Sequence, residues 1–270
     1  MRWLFAFIAL LAAVPAVAQA PARFDPAADY ITPGQDEPGY QRWALAAPER
    51  ATQARTLYGY LLAHKVAGVV PTWQLTRTAS SWQRCGAQPF EVPPESEWPN
   101  LVETLKYVRD HVVPVVGPVE PVSVYRNELL NVCAGGAADS AHRHFFALDL
   151  VPLRPTTREA LMRGVCAIHS WQGGGYAVGL GFYKGLRFHV DSKKYRKWGA
   201  AMGDERTIGC PHLMAQLAAQ AAASKAALQA KAVPAADVTP MPSGPLATAS
   251  APPVETAPPP VETPAAATQP

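Results

Sequence analysis

The sequence predicts an α+β domain built on a mainly antiparallel sheet with flanking helices. Two observations predict this class: stretches with apolar residues at helical spacing, and short stretches in which every second residue is apolar. Helical and extended stretches come in separate runs, which is typical of α+β domains and not of a regular parallel sheet. Residues 71–214 hold most of these stretches and are long enough to bury one sizeable core.

Helical patterns mark the first half of the chain. Residues 21–70 are predicted as an N-terminal helical segment, because residues 49–65 carry apolar side chains at helical spacing. A second helical pattern runs over residues 101–112 and is expected to end at Pro114, since a proline inside a helix removes a backbone hydrogen bond. The alternating stretch 121–125 that follows predicts a strand.

The second half of the domain contains shorter elements. Residues 150–153 predict a short strand, and a helix is expected to begin near Thr156 and to run to about Ile168. Thr156 and Glu159 have the spacing of a capping box, in which two side chains satisfy backbone N–H groups of the first turn. Glycine-rich turns then surround a short strand, and residues 187–191 predict a further strand.

Both ends of the chain differ in composition from the domain. Residues 1–20 have the layout of a secretory signal peptide, with a basic residue, an apolar run and a cleavage site after Ala20. The apolar run is short for a membrane span, so we expect no stable membrane anchor after cleavage and a periplasmic or extracellular location. Residues 215–232 are rich in alanine and predict a helix, whereas the Pro/Ala-rich residues 233–270 predict a disordered C-terminal tail.

Charge and cysteine content narrow the functional classes. The formal net charge is +3 and no segment concentrates Lys or Arg, which argues against a nucleic-acid partner. A mildly basic chain does suit an anionic cell-wall polymer. Four cysteines in an exported chain favour two disulfides with three possible connectivities, although free thiols or metal ligands are the alternative. The four are Cys85, Cys133, Cys166 and Cys210.

One set of polar residues predicts a metal site. His142 and Asp149 lie seven positions apart, and His189 follows forty positions later in the stretch Phe-His-Val-Asp. Zinc accepts imidazole and carboxylate ligands, and two imidazoles with one carboxylate leave the fourth tetrahedral position open, as in catalytic zinc centres. The spacing is not that of a pair on one helix, so the fold has to bring the ligands together. A Zn²⁺ site for hydrolysis is the leading hypothesis.

Four stretches of the chain carry a pattern whose order and spacing are informative. They are Val122–Arg126 with Asn131, Gly136–His142 with Ala147 and Asp149, Phe188–Asp191, and Tyr195–Trp198. Together they resemble the zinc D-Ala-D-Ala carboxypeptidases and related peptidoglycan peptidases, which share the Hedgehog/DD-peptidase fold. The resemblance covers about residues 71–200 and implies that fold for the domain.

The resemblance also implies an activity and a set of site residues. It implies a zinc metallopeptidase acting on peptidoglycan stem peptides, either as a carboxypeptidase or as an endopeptidase. The zinc ligands would be His142, Asp149 and His189. Arg126 would hold the substrate or the negative charge that develops on it, a role suited to a guanidinium.

The chain departs from the family pattern at the general base. Better-known members carry Glu three residues before the last ligand, where this chain has Leu186. Asp191 is the nearest replacement, but it lies two residues past His189 on the same strand face, so it could equally orient that imidazole. His169 is another candidate base. An inactive zinc-containing module that binds peptidoglycan is therefore the alternative to an active enzyme.

Smaller features concern the loop around the first ligand. Many family members have glycine where this chain has Phe145 and Val124, which changes the shape of the loop and not the ligands. Ser140 is expected to shape the loop by hydrogen bonding to the backbone, and His144 to lie beside the site without binding zinc. Three tryptophans could line a groove: Trp73, Trp82 and Trp171.

Overall fold

The computed structural model describes residues 23–199 and 210–231. The described residues up to Ser224 form an α+β fold around one five-stranded sheet. A second unit begins at Lys225, and only the end of the last helix is described there. The predicted signal peptide and the predicted disordered tail lie outside the described residues. No described helix is both long enough and apolar enough to cross a membrane.

The sheet is mainly antiparallel, as predicted, and has one parallel pair at its edge. Its strands are β1 (Val119–Ser123), β2 (Ala147–Pro152), β3 (Gly179–Phe182), β4 (Phe188–Asp191) and β5 (Arg196–Trp198). Their order across the sheet is β1-β2-β4-β3-β5. The short strand β5 runs parallel to β3, and all other neighbours are antiparallel.

The register of the sheet aligns one residue from each strand in a row. Ser123 lies opposite Asp149, and Asp149 lies opposite His189. The row continues from His189 to Gly181 and then to Trp198. Residues directly opposite each other on neighbouring strands present their side chains to the same face of the sheet. This row therefore brings a hydroxyl, a carboxylate, an imidazole and an indole onto one face.

The helices lie before, between and after the strands in the chain. In the described ranges they are α1 (Glu37–Leu45), α2 (Pro48–Ala63), α3 (Trp98–Tyr107), α4 (Val113–Val116), α5 (Glu128–Cys133), α6 (Arg158–Gln172) and α7 (Cys210–Lys231). Leu57 and Leu61 of α2, Leu105 of α3 and Val165 of α6 belong to one buried cluster with Leu148 of β2. Helix α2 of the N-terminal segment thus shares the main core with the sheet, whereas Trp43 and Ala44 of α1 pack in a separate cluster with Phe90.

The prediction that the second helix ends at Pro114 is wrong. Helix α3 continues through a π-helical turn over Val108–Val112 into α4, and Pro114 lies in the first turn of α4. Proline is tolerated there, because the first N–H groups of a helix have no partner within the helix. The helix ends at Gly117, whose φ of 87° lies in the left-handed region that glycine adopts at low cost.

The predicted cap and end of α6 also require correction. The capping residue is Thr157 and not Thr156, because the Thr157 hydroxyl accepts a hydrogen bond of 3.1 Å from the backbone N–H of Ala160. The helix continues past Ile168 to Gln172. Its buried face extends to the residue after Ile168, so packing against the core supports the additional turn.

Two disulfides are present, as predicted, and their connectivity is Cys85–Cys133 and Cys166–Cys210. The first joins a loop before the sheet to the end of α5, and the second joins α6 to the start of α7. Disulfides form and persist in oxidising compartments. The pair therefore suggests an oxidising, extracellular environment.

Candidate metal centre

The three predicted metal ligands meet at one point, although they come from three elements. His142 lies in a short 3₁₀ helix (Ala141–His144), Asp149 in β2 and His189 in β4. The 3₁₀ helix leads almost directly into β2, and β2 pairs with β4. All three side chains are buried. They form a group that could hold a metal ion.

The three ligand atoms form a nearly equilateral triangle. Nε2 of His142 lies 3.1 Å from Nδ1 of His189 and 3.3 Å from Oδ1 of Asp149. That oxygen lies 2.9 Å from Nδ1 of His189. Zinc–ligand bonds of about 2.0–2.1 Å at tetrahedral angles place ligand atoms roughly 3.3 Å apart. The triangle therefore fits one face of a zinc tetrahedron after a small expansion.

The outer partners of the two imidazoles determine which nitrogens carry protons. Nδ1 of His142 lies 2.5 Å from the carbonyl oxygen of Val124, and Nε2 of His189 lies 2.8 Å from Oδ2 of Asp191. Carbonyl and carboxylate oxygens accept hydrogen bonds, so each of these nitrogens donates its N–H. In a neutral imidazole the other nitrogen then carries a lone pair. Those other nitrogens are the ones that face Asp149.

This arrangement directs three electron-pair donors at one another. Two imidazole lone pairs and a carboxylate oxygen repel one another at these distances unless positive charge lies between them. A second proton on His189, at Nδ1, would relieve the contacts of that nitrogen but not the contact between Nε2 of His142 and Oδ1 of Asp149. A divalent cation satisfies all three donors at once, and nitrogen and oxygen donors suit zinc among other divalent metals. The donor set thus fits a resident metal ion.

Electrostatics keep two of the three ligands, Asp149 and His142, in forms that can bind a metal. Burial raises the pKa of the Asp149 carboxyl, but the two histidines outweigh burial and lower this pKa well below its usual value. Burial and the Arg126 guanidinium lower the pKa of His142 to about 4. For His189, burial lowers the pKa and hydrogen bonds to the carboxylates of Asp149 and Asp191 more than offset it, so the pKa is raised. An ionised Asp149 and a neutral His142 are the forms that coordinate metals.

Both carboxylate oxygens of Asp191 accept hydrogen bonds from groups of the protein. Its Oδ2 accepts from Nε2 of His189 and from Arg196, each at 2.8 Å. Its Oδ1 accepts from Arg196 at 3.0 Å and from the backbone N–H of Lys193 at 2.8 Å. Burial raises the pKa of the carboxyl, and the contacts with His189 outweigh burial and lower it. These contacts favour the role of orienting the imidazole over the role of general base.

Arg126 lies beside the ligand carboxylate. Its Nη2 donates to Oδ2 of Asp149 at 3.0 Å, and its Nε and Nη2 donate to the hydroxyl of Ser123. Its backbone N–H donates to the carbonyl oxygen of His142 at 3.1 Å. Arg126 therefore balances the charge of Asp149 and ties the ligand loop to the end of β1. Part of its side chain also lines the cleft described next.

The metal centre borders a cleft of about 720 Å³, to which His142 and His189 contribute. Basic side chains outnumber acidic ones in the lining of this cleft. They are Arg126, Arg187, Lys193, Lys194 and Arg196. Among the described lining residues, Asp139 is the exposed carboxylate, and it pairs with Lys193. The cleft therefore favours an anionic ligand.

Sequence reasoning did not assign Tyr183, Arg187 or Trp198 to the site, although all three line the cleft. Trp198 reaches the metal centre because its neighbour in the row is Gly181, which has no side chain. The indole lies 4.7 Å from the imidazole of His189, measured between ring centroids. A signal was present in the alternation Gly-Leu-Gly of β3, because glycine inside a strand often marks a close approach.

The backbone conformation at Phe145 explains why glycine would suit this position. It follows the 3₁₀ helix with a φ of 55°, in the left-handed region that glycine adopts most easily. The phenyl ring is completely buried and meets Tyr125 edge-on, with 6.3 Å between ring centroids. Burial of the ring therefore holds a backbone conformation that a bulky residue otherwise disfavours.

Other predicted residues have smaller roles or lie elsewhere. The Ser140 hydroxyl accepts from the backbone N–H of His142 at 3.3 Å and so shapes the ligand loop. The ring of His144 points to Glu97, with Nδ1 and Oε1 3.3 Å apart. His169 does not line the cleft, and it stacks on Tyr195 with 4.5 Å between ring centroids. The three tryptophans proposed for a groove do not line the cleft either.

The geometry supports one divalent metal ion with access to a basic cleft. Three protein ligands leave a coordination position for water or substrate, which is the pattern of a catalytic centre. No family model, curated protein or solved structure is found to match this chain.

Proposed function

We propose that this protein is an exported zinc metallopeptidase that hydrolyses peptide bonds of peptidoglycan stem peptides. The resemblance of its motifs to the zinc D-Ala-D-Ala carboxypeptidases supports the proposal, as do two disulfides and a buried His-Asp-His group beside a basic cleft. The observation that carries it is the convergence of two imidazole nitrogens and one carboxylate oxygen. The Hedgehog/DD-peptidase fold is part of the same proposal, supported by the α+β architecture.

His142, Asp149 and His189 would hold the zinc ion. When bound, zinc supplies a Lewis acid that polarises a carbonyl group and acidifies water. Val124 and Asp191 fix the orientation of the two imidazoles through the nitrogens that point away from the metal. Such partners typically change metal affinity or activity by about 10–100-fold when they are removed.

Arg126 would act on the substrate from the side of Asp149. Its guanidinium lies in the cleft and is held by Ser123 and Asp149, so its orientation is set before substrate arrives. A positioned guanidinium stabilises negative charge that develops on a carbonyl oxygen, or grips a carboxylate through two parallel hydrogen bonds. Either contact would align the scissile bond.

A second candidate function is a zinc-containing module that binds peptidoglycan without cutting it. The observation that favours it is the state of the carboxylates near the centre. Asp191 is held by His189 and Arg196, and Leu186 stands where family members carry Glu. The exposed Asp139 pairs with Lys193. Each of these contacts reduces the capacity of the described cleft to accept a proton from water.

Purified chain lacking residues 1–20 should be incubated with muropeptides after zinc loading and after treatment with a chelator. We expect zinc-dependent products, and their masses distinguish loss of a terminal D-alanine from cleavage within a cross-link. His142→Ala should abolish both zinc binding and product formation. His144→Ala is the matched control, because His144 points to Glu97, and it should retain both.

The wild-type result separates the two candidate functions. Absence of any zinc-dependent product would remove the peptidase. Zinc-dependent binding to intact cell-wall sacculi without product would support the binding module instead.

A further inference from the structure

Arg187 differs from the other basic residues of the cleft. It lies one residue before β4, and 20% of its side chain is exposed. Its guanidinium makes no hydrogen bond with any described residue, and its Nε is shielded from solvent without a partner. Arg126 and Arg196, by contrast, donate to the carboxylates of Asp149 and Asp191. A partly buried guanidinium with unused donors is uncommon, since unpaired buried polar groups are costly.

Aromatic rings hold Arg187 in place and leave its donors free. The guanidinium carbon lies 3.8 Å from the ring centroid of Tyr183 and 5.2 Å from that of Tyr30. Tyr30 is itself fixed, because its hydroxyl donates to the carbonyl oxygen of Lys184 at 2.7 Å. Stacking on aromatic faces orients a guanidinium without using its N–H groups. The side chain is therefore positioned in advance for a ligand.

The local charge also favours an additional anion. Nη2 of Arg187 lies 3.8 Å from Oδ2 of Asp149, which is too far for a hydrogen bond. That oxygen already accepts from Arg126 at 3.0 Å, and the other oxygen of Asp149 faces the two histidines. Two guanidinium groups thus face a single carboxylate. The surplus positive charge lies on the Arg187 side of the cleft.

We infer that Arg187 is a specificity-determining residue that binds a carboxylate of the substrate next to the metal centre. The inference rests on the proposed function, because it concerns the substrate of the same cleft. A planar guanidinium with unused donors matches a carboxylate through two parallel hydrogen bonds. Lysine would supply the charge but neither the stacking nor the paired geometry.

The position of Arg187 limits where that carboxylate lies in the substrate. Arg187 and the metal-facing atoms lie on opposite sides of the same Asp149 carboxylate group. The carboxylate should therefore lie one or two residues from the hydrolysed bond, or about 3.5–7 Å along an extended peptide. Two sources fit this distance: the free C-terminus of the substrate, or a carboxylate on a residue beside the cleaved bond.

Three acetylated tripeptides distinguish these sources. The first ends in D-Ala-D-Ala as the free acid, the second is its C-terminal amide, and the third is an amide whose middle residue carries a carboxylate. Dissociation constants would be measured on the zinc-free protein, and kcat and KM on the zinc-loaded protein. We expect the wild type to prefer one carboxylate-bearing peptide over the plain amide by about 10–100-fold. The preferred peptide identifies the source.

Variants test whether Arg187 causes the preference. Arg187→Ala and Arg187→Gln should bind the preferred peptide and the plain amide within about threefold of each other, whereas Arg187→Lys should keep part of the preference. Lys194→Ala removes one positive charge from the same cleft but no stacked guanidinium, and it should keep most of the preference. Circular dichroism and thermal unfolding check that each variant folds. If one Arg187 variant is unfolded, the other supplies the result.

The outcomes separate this inference from the proposed function. A preference that survives in the Arg187 variants, equal losses in the Lys194 and Arg187 variants, or no preference in the wild type would each overturn it. Discrimination by the zinc-free protein without hydrolysis by the zinc-loaded protein would support the inference and contradict the peptidase. Zinc-dependent hydrolysis of all three peptides at equal rates would support the peptidase and contradict the inference.

Discussion

Asp149 and His189 lie directly opposite each other in the β2–β4 pair, with Oδ1 and Nδ1 2.9 Å apart. Two of the three ligand atoms are thus held by adjacent strands and not by separate loops. The ladder hydrogen bonds of a sheet fix the distance between opposite residues. The geometry of the metal centre therefore depends on the packing around β4, and changes in the neighbouring strand β3 should affect metal binding.

Gly179→Ala should weaken zinc binding although Gly179 contacts no ligand directly. A Cβ atom at Gly179 would lie 2.2 Å from Oδ2 of Asp191 and 2.6 Å from Nη1 of Arg196. Displacement of Asp191 would release the imidazole of His189, so we expect a loss of about 10–100-fold in zinc affinity. Competition with a chromophoric chelator measures it. Gly174→Ala is the control, because a Cβ there meets nothing within 4 Å. Equal affinity in the two variants would contradict this account of Gly179.

Asp191→Asn separates the two roles considered for Asp191. An orienting residue sets metal affinity, so the variant should lose zinc affinity by about tenfold or more, and zinc saturation should restore much of the activity. If Asp191 is instead the general base, its loss should lower kcat at saturating zinc and leave zinc affinity unchanged. Zinc titration and steady-state kinetics distinguish these results. Asp139→Asn, at the exposed carboxylate of the same cleft, should leave zinc affinity unchanged.

Phe145→Gly should destabilise the protein even though its backbone φ of 55° favours glycine. Removing a fully buried phenyl ring costs about 3–5 kcal/mol, whereas relief of a left-handed conformation returns only about 1–2 kcal/mol. We therefore expect a lower Tm and a lower denaturant midpoint than in the wild type. Phe145→Leu keeps most of the apolar contact and should lose less. A glycine variant as stable as the wild type would show that the backbone conformation outweighs the ring.

Stability should fall as the pH drops below about 6.5, and His169 should contribute to this fall. Burial lowers the pKa of His169 from its usual 6.5. A hydrogen bond to the Val178 carbonyl oxygen raises this pKa, but its effect is smaller than that of burial. The unfolded chain therefore takes up a proton at higher pH than the folded chain does. The stabilisation is fully present above the unfolded pKa and is lost as the pH falls toward the folded pKa.

Denaturant unfolding in the presence of a chelator, at pH 8, 6.5 and 5, measures this effect without the pH dependence of metal binding. His169→Gln should lose less stability between pH 6.5 and 5 than the wild type loses. Tyr195 stacks on the His169 ring and the charge of Lys197 lowers the pKa of His169, so both residues are kept unchanged in the variant. Identical pH dependence in the two proteins would remove His169 from the account.

Local chemistry explains what the sequence could predict. The α+β class and the strand of Phe188–Asp191 follow from the period of apolar residues, which each segment carries within itself. The residues His142, Asp149 and His189 could be selected because few side-chain types bind zinc. Two disulfides could be expected from four cysteines in a chain with a predicted signal peptide.

Long-range pairing explains what the sequence could not predict. Trp198 reaches His189 only because β5 adds in parallel beside β3 at a register that places it opposite Gly181. Tyr30, which lies more than 150 positions earlier in the chain, stacks on Arg187. The helix continues past Pro114 because a π-helical turn places the proline at a new first turn. None of these relationships is contained in the local spacing of residues.

The most direct test of the metal centre is the zinc content of the reconstituted protein, measured by elemental analysis after removal of unbound metal. One zinc ion per chain is expected for the wild type and for His144→Ala, and none for His189→Ala. Absence of zinc from the folded wild type, or one zinc ion per chain in folded His189→Ala, would contradict the assignment of the buried His-Asp-His group as a metal site.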